Sequence, residues 1–151
     1  MSEHAAMVMQ ASAVAIGGRA LLIDGPPGSG KSSLALALID RGALLIGDDA
    51  VTLRREGDAL MASAPPNIAG LLEIRGVGLV TLPLAGPAPV ALVLTLGGPE
   101  GERLPGTAEQ RDLLGVPIPA LRFVPGSIAP ALRAEQALAV HGLASASSDP
   151  A

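Results

Sequence analysis

The chain of 151 residues has no cysteine, no tryptophan, no tyrosine and a single phenylalanine, Phe123. The lack of cysteine excludes disulfide bonds, thiolate metal sites and cysteine nucleophiles. The lack of aromatic side chains removes the stacking platform on which proteins bind single-stranded nucleic acid. The net charge of −4 also argues against a partner with a phosphate backbone. We therefore expect no nucleic-acid partner.

Charged residues are few as well, at 16% of the chain against 49% hydrophobic residues. Such a composition is typical of a packed globular protein and unlike that of a disordered one. The length is that of about one domain. We expect a single domain over residues 1–143 and a short, frayed polar tail over residues 144–151.

Long hydrophobic runs are also missing. The longest uncharged stretch, Gly76 to Pro99, is broken by prolines and glycines, and its continuous apolar part is only Val90 to Leu96. That part is far shorter than the ~20 residues of a spanning helix, so we interpret it as a core strand in a sheet with helices on both faces. No basic residue precedes Arg19, unlike in a secretory leader. We expect a cytoplasmic protein without a membrane partner.

A glycine-rich segment fits the phosphate-loop pattern G-x-x-x-x-G-K-[ST] at every constrained position. It reads Gly25-Pro26-Pro27-Gly28-Ser29-Gly30-Lys31-Ser32. An apolar strand over residues 20–23 precedes it and a helix over residues 33–39 follows. Glycines let successive backbone N–H groups face one anion, the lysine reaches the β- and γ-phosphates, and the serine hydroxyl meets Mg²⁺. The segment predicts a nucleotide site; the alternative is an ordinary turn that caps a helix beside a solvated lysine.

Two adjacent carboxylates follow the next predicted strand. The helix is expected to end at Arg41 with Gly42 as its cap, and residues 43–46 form a strand that leads to Asp48 and Asp49. Ligands of open α/β sheets bind at the carboxyl ends of strands, so the pair should meet the phosphate loop. One carboxylate can hold Mg²⁺ and the other can accept a proton in phosphoryl transfer. A plain turn after a strand is the alternative.

A second charged pair, Glu73 and Arg75, lies in the apolar, glycine-punctuated run 71–78. Side chains two residues apart share a face of an extended strand. If the run is in the core, the carboxylate of Glu73 should be paired with a cation or bound to a metal ion. Two interpretations remain open, namely an ion pair on an exposed edge, or a second Mg²⁺ ligand with an arginine beside the phosphates.

The rest of the chain predicts further elements. A two-residue turn at Gly17-Gly18 joins strands 11–16 and 20–24, and a turn over residues 56–58 joins strands 51–53 and 59–61. Residues 97–107 predict a mobile loop, residues 118–124 a final strand and residues 129–140 an amphipathic helix. His4 and His141 lie near the termini and are expected to be solvated.

These motifs together resemble the catalytic domain of HPr kinase/phosphorylase. The resemblance rests on the phosphate loop, on the Asp48-Asp49 pair and above all on Leu72-Glu73-Ile74-Arg75-Gly76-Val77-Gly78. This last segment is specific to the family, and its order and spacing after the loop match. The resemblance covers about residues 10 to 140 and does not include the family's separate N-terminal domain, as in the short forms of some bacteria.

The resemblance implies an α/β phosphate-loop fold akin to phosphoenolpyruvate carboxykinase, with ATP and Mg²⁺ as cofactors. It implies that Lys31 grips the phosphates, that Ser32 and Glu73 bind Mg²⁺, and that Asp49, supported by Asp48, is the base. It also implies a serine of the phosphocarrier HPr as substrate, in regulation of a bacterial phosphotransferase system, and a hexamer. In reverse, inorganic phosphate would take the phosphoryl group off that serine and give pyrophosphate.

The sequence departs from the family at three places. Gln10 stands where the family has a histidine, fifteen residues before the first loop glycine, and His4 comes six residues too early. Ala50 replaces an arginine after the aspartates. A late arginine-bearing segment is shortened to residues 126–128, which leaves Arg122 and Arg133 as candidate substitutes.

We expect an ATP-dependent serine kinase with weakened phosphorolysis. The alternatives are a nucleotide-binding regulatory module that has lost turnover, and a small-molecule phosphotransferase. The chain is short of the insertions that would form a lid over a small substrate, which argues against the last.

Overall fold

The computed structural model describes residues 5–65, 70–98 and 108–144, and these contain eleven strands and two helices. The strands are β1 (Ala6–Met9), β2 (Ser12–Ile16), β3 (Arg19–Asp24), β4 (Leu44–Gly47), β5 (Val51–Glu56), β6 (Ala59–Ser63), β7 (Leu71–Ile74), β8 (Gly78–Thr81), β9 (Ala88–Thr95), β10 (Glu109–Leu113) and β11 (Val116–Arg122). The helices are α1 (Lys31–Asp40) and α2 (Pro130–His141). Nine strands form one mixed sheet, and β7 and β8 pair with each other.

Strand β9 is the centre of the sheet. It runs parallel to β3 on one side and to β11 on the other, and its first residues pair antiparallel with β6. The full path is β1-β5-β6-β9-β3-β2-β4, with β10 attached through β11. Asp24 and Arg122 are both in register with Thr95 of β9. The three parallel strands therefore end in one row, beside the start of the phosphate loop.

The two faces of the sheet are buried in different ways. Both helices cover one face, where Leu21, Ile23, Leu92 and Leu94 pack against α1 and α2. Strands of the same curled sheet cover the other face, with core residues from β1, β5, β6, β10 and β11. The prediction of helices on both faces was therefore wrong, although the prediction of β9 as a core strand is confirmed. The outer strands curl over and bury the second face themselves, so no further helix is needed there.

The elements around the phosphate loop follow the sequence prediction closely. Gly17 and Gly18 both have positive φ, at 58° and 84°, and form the two-residue turn of the β2–β3 hairpin. Helix α1 ends at Asp40, and Gly42, with φ of 110°, terminates it in the left-handed conformation. The second predicted hairpin is also present as β5 and β6. The elements that flank the predicted site are therefore those that local patterns specify.

Three differences concern exposed strands. The prediction missed β1 and β10, whose exposed sheet-edge residues carry no apolar alternation. The run 71–78 is largely exposed and not in the core; Gly76 and Gly78 adopt positive φ and turn it into the β7–β8 hairpin. Of the hairpin strands only Leu72 is buried.

Some predictions fall outside the described residues. His4, residues 99–107 of the predicted loop and residues 145–151 of the predicted tail are among them. The limit of the single domain at residue 143 stays a prediction. Neither helix within the described ranges is long and apolar enough to cross a bilayer.

Candidate nucleotide site

The phosphate loop lies between the end of β3 and the start of α1. Gly25, Gly28 and Gly30 have φ of 149°, 80° and 100°, a region that L side chains rarely adopt. A Cβ on Gly25 would lie 2.7 Å from the carbonyl oxygen of Leu96. The first glycine is therefore required both by backbone conformation and by the close approach of the segment after β9.

Gly97 is a glycine whose role the sequence analysis missed. Its φ is 82°, and a Cβ there would lie 2.9 Å from Cδ of Pro26 in the loop. The chain leaving β9 thus packs directly against the phosphate loop. A glycine just after a strongly apolar strand was the available signal, since it often marks a close backbone approach.

Lys31 is held by the loop that precedes it. Its Nζ donates hydrogen bonds to the carbonyl oxygens of Gly25 at 2.6 Å and Pro26 at 3.2 Å. Lys31 is also the first residue of α1, whose opening N–H groups have no partner within the helix. The ammonium group and the helix N-terminus together make this end of the cavity attractive to an anion.

Asp48 connects the second predicted motif to the loop. Its Oδ1 accepts hydrogen bonds from Oγ of Ser32 at 2.7 Å and from Oγ of Ser12 at 2.9 Å. The meeting of loop and aspartates that the sequence predicted is therefore present in the structure. Ser12 was missed; it is fully buried and is the polar residue within the apolar run 11–16.

Asp49 follows in a different environment. It is exposed and has φ of 66°, in the left-handed region that aspartate and asparagine tolerate better than most residues. The turn before it is tight, because a Cβ on Gly47 would overlap the carbonyl oxygen of Ala50. The turn leaves Asp49 on the wall of the cavity, with its side chain open to solvent.

A cavity of about 790 Å³ brings the predicted residues together. Its wall includes Pro27, Gly28, Gly30, Lys31, Ser32, Asp48, Asp49, Glu73 and Arg75. Gly25, Pro26 and Ser29 of the same loop are not on the wall. Glu73 is exposed on β7, so the premise that its carboxylate is buried was wrong. Neither Glu73 nor Arg75 has an ion-pair partner within the described ranges, so the edge ion pair is absent there.

The residues that concern the departures from the family, namely Gln10 and the candidate substitutes Arg122 and Arg133, are placed as follows. Gln10 is exposed in the turn between β1 and β2. Arg133 donates to the carbonyl oxygens of Val124 and Pro125 and lies 4.8 Å over the ring of Phe123, so it is engaged in local packing. Arg122 is exposed at the end of β11. Neither arginine is on the cavity wall.

The donor set of the cavity fits a nucleotide-bound Mg²⁺ better than a protein-held metal. No group of three or more histidine, cysteine, aspartate or glutamate residues in the described part of the chain could hold a metal ion. Mg²⁺ in nucleotide sites takes one or two carboxylates and completes its shell with phosphate and water. Ser32, which is hydrogen-bonded to Asp48, and Glu73 lie on the wall of this cavity and can supply that number of oxygen ligands.

Comparison with known proteins gives a consistent assignment. Residues 3–85, which include every predicted site residue, match the family described as HPr Serine kinase C-terminal domain. The chain is 37% identical over 112 residues to the HPr kinase/phosphorylase of Clostridium tetani, and 39% identical over 112 residues to that of Burkholderia cenocepacia. Each match covers 67% of this chain, but only 37% and 35% of those proteins.

A solved structure agrees with the sequence comparisons. The Hpr(Ser) kinase/phosphatase from Coxiella burnetii superposes with a TM-score of 0.75 at 28% identity, over 88% of this chain and 94% of that one. The α/β fold with its curled mixed sheet is therefore shared. From the match over residues 3–85 and from the shared fold, we conclude that this chain belongs to the HPr serine kinase C-terminal domain family.

Proposed function

We propose that the protein is an ATP- and Mg²⁺-dependent serine kinase that acts on an HPr-like phosphocarrier protein. The observation that carries the proposal is the hydrogen bond of 2.7 Å from Ser32 of the phosphate loop to Asp48, with Asp49 beside it on the same cavity wall. Phosphoryl transfer to a hydroxyl requires a phosphate cradle next to a proton acceptor. The relatives named HPr kinase/phosphorylase support HPr as the substrate, and the family described as HPr Serine kinase C-terminal domain supports a serine as the acceptor.

Each side chain on the cavity wall has a role in this proposal. The backbone of the loop, with Lys31, binds the phosphates, and the helix N-terminus stabilises their charge. Asp49 accepts the proton of the substrate serine, because it is the carboxylate that is exposed and unbound by a hydroxyl. Asp48 is held by two hydroxyl groups and keeps Ser32 in place. Arg75 is a second cation on the cavity wall.

In this proposal Ser32 and Glu73 are the residues that bind Mg²⁺. When bound, Mg²⁺ neutralises the charge that develops on the transferred phosphoryl group. Ser32 would hold it through Oγ and Glu73 through its carboxylate, since both residues lie on the wall of the same cavity. Lys31 is the only lysine of the chain, so the ammonium charge at this site has no substitute elsewhere in the sequence.

A second candidate is a nucleotide-binding regulatory module without turnover. It is favoured by Gln10 at the family's histidine position and by the local engagement of Arg133. Without these groups the site keeps its phosphate cradle but has less charge compensation for transfer. Binding of nucleotide without phosphorylation of HPr would support this candidate.

The test is a paired measurement on the full chain. Isothermal titration with MgATP reports binding, and transfer of radiolabelled γ-phosphate to HPr reports catalysis. We expect both in the wild type and loss of transfer in Lys31→Ala, because the lysine neutralises charge between the β- and γ-phosphates. The control is Arg41→Ala, which removes a cation at the opposite end of α1 and should leave transfer unchanged. Transfer by Lys31→Ala at the wild-type rate would refute the assignment of the loop.

A further inference from the structure

An ion pair lies directly at the entrance to the phosphate loop. Arg111 of β10 donates from Nη1 to Oδ2 of Asp24 at 2.6 Å, and Oδ1 of the same carboxylate accepts the backbone N–H of Gly25 at 2.8 Å. Asp24 is the last residue of β3 and Gly25 is the first of the loop. Arginine, carboxylate and loop amide thus form one chain of hydrogen bonds.

A carboxylate in this place is unfavourable for a phosphate site. It adds negative charge at the mouth of a loop that has to bind a polyanion, and like charges at short range repel. It also engages the first N–H of the loop, which is then not available to phosphate. An arginine beside the carboxylate offsets the charge, and a carboxylate held on Gly25 fixes the direction of that peptide.

The fold builds this arrangement from distant segments. Arg111 and Asp24 are 87 residues apart, and β10 reaches β3 only through β11 and β9. The backbone oxygen of Asp24 also accepts the N–H of Leu96 at 2.8 Å, and the oxygen of Gly25 accepts Nζ of Lys31. The peptide between β3 and the loop is therefore held from both ends, by Arg111 through Asp24 and by Lys31.

We propose that Arg111 is a positioning residue for the phosphate loop, which neutralises Asp24 and holds its carboxylate on the amide of Gly25. The inference rests on the proposed function, because it takes the loop to be a nucleotide site. Arg111 is not on the cavity wall and touches no reacting atom. Its effect reaches the nucleotide through the charge of Asp24 and the orientation of the Gly25 peptide.

The pair is partly exposed, with 38% of the Arg111 side chain and 22% of the Asp24 side chain accessible. Its contribution to folding stability should therefore be small. Its effect on nucleotide affinity should be larger, because removing only the arginine leaves a bare carboxylate beside the phosphates. That effect should also shrink as salt is added, which a packing defect would not do.

The first experiment measures the dissociation constant of MgATP for four full-length proteins. We expect Arg111→Ala to weaken binding by about 10-fold, equal to about 1.4 kcal/mol. Adding Asp24→Asn should restore binding to within about 2-fold, because the neutral amide still accepts the Gly25 N–H and no longer needs the arginine. Arg41→Ala, which breaks a surface ion pair with Glu135 of similar exposure, should bind like the wild type.

Three results would overturn the inference. They are wild-type affinity in Arg111→Ala, a double variant as weak as Arg111→Ala alone, and a defect that does not respond to salt. Each of these leaves the proposed function intact, since the wild type binds nucleotide in all of them.

A second measurement needs no nucleotide. It separates a failure of the proposed function from a failure of the positioning role of Arg111. If the wild type itself does not bind MgATP, the proposed function fails. The positioning role is then read from amide hydrogen exchange at Gly25 in the ligand-free protein. We expect faster exchange in Arg111→Ala than in the wild type or Arg41→Ala, because the carboxylate is no longer held on that amide. Equal exchange in all three proteins would overturn the inference.

Discussion

Among single residues, Asp48 connects the phosphate loop to the core through its Oδ1. It accepts hydrogen bonds from Ser12 in the core and from Ser32 in the loop. Asp49, its neighbour, is exposed and accepts no hydroxyl hydrogen bond from the described part of the chain. The two adjacent carboxylates thus have different surroundings, with Asp48 held by two hydroxyl groups and Asp49 open to solvent.

Ser12 should contribute to activity although it does not line the cavity. In Ser12→Ala, Asp48 loses one of its two hydroxyl donors, which is worth about 1 kcal/mol for a typical hydrogen bond. We expect transfer to HPr to fall on the order of 5- to 10-fold while nucleotide binding changes less. The matched control is Thr52→Val, since Oγ1 of Thr52 is buried and has no hydrogen-bond partner among the residues that the structure describes. Equal activity in Ser12→Ala and wild type would contradict the role of the tether.

Asp49→Asn tests the proposed base. Asparagine tolerates the φ of 66° at this position, so the backbone of the turn should be preserved. We expect retained MgATP binding with a loss of kcat on the order of 10²–10⁴, the usual contribution of general acid–base catalysis. Asp58→Asn, in the exposed turn between β5 and β6, is the control for a lost surface carboxylate. A kcat within a few-fold of the wild type would rule out Asp49 as the base.

Gln10 bears on whether the protein favours phosphorylation of HPr or the reverse reaction, phosphorolysis. Phosphorolysis requires inorganic phosphate to be activated beside a phosphoserine, and glutamine offers neither a proton acceptor nor a cation. We expect a low ratio of phosphorylase to kinase activity, and a higher ratio in Gln10→His. The measurement is pyrophosphate release from seryl-phosphorylated HPr. Strong release by the wild type, unchanged in the variant, would show that the glutamine does not limit this direction.

Among the elements, the β7–β8 hairpin has the most unexpected position. Its apolar composition favours the core, yet Val77 and Leu79 are 70% and 69% exposed. Among the described strands, β7 and β8 pair with each other and with no other strand, and the hairpin brings Glu73 and Arg75 to the wall of the cavity. Its sequence is therefore better explained by the site that it borders than by packing.

Glu73→Gln tests whether this element supplies a metal ligand. The amide keeps the size of the side chain but removes the charge that favours Mg²⁺, so the Mg²⁺ concentration for half-maximal transfer should rise, by about 10-fold. Glu56→Gln, at the tip of the β5–β6 hairpin, removes an exposed carboxylate outside the cavity wall and should not change the Mg²⁺ dependence. The same dependence in Glu73→Gln and wild type would exclude the metal role.

For the whole molecule, the exposed apolar side chains concern its oligomeric state. Large apolar side chains are exposed at separate places, including Val8 on the edge strand β1 and Ile128 and Val140 around α2. Burial between subunits would cover such residues. We expect a hexamer, with a mass of about 90 kDa for six chains of 15.0 kDa. Size-exclusion chromatography with light scattering measures this, and a mass near 15 kDa would contradict it.

The sequence by itself determined the centre of this protein. The strand, loop and helix from β3 to α1, the following strand and the two aspartates are encoded by neighbouring residues. Buried apolar runs, glycines at positive φ and a helix start act over a few positions, so a local pattern predicts them well. The family resemblance rests on the phosphate loop, on the two aspartates and above all on the segment 72–78, and the match over residues 3–85 confirms it.

Only the tertiary structure decided how the second face of the sheet is covered, where Glu73 lies and which distant groups support the loop. Strand pairing and solvent exposure determine the positions of the edge strands β1 and β10 and of the hairpin β7–β8. Residue type alone does not specify either of them. Ser12 reaches Asp48 across 36 positions and Arg111 reaches Asp24 across 87. Such contacts depend on the order and curl of the strands, and no local pattern in the chain encodes that order.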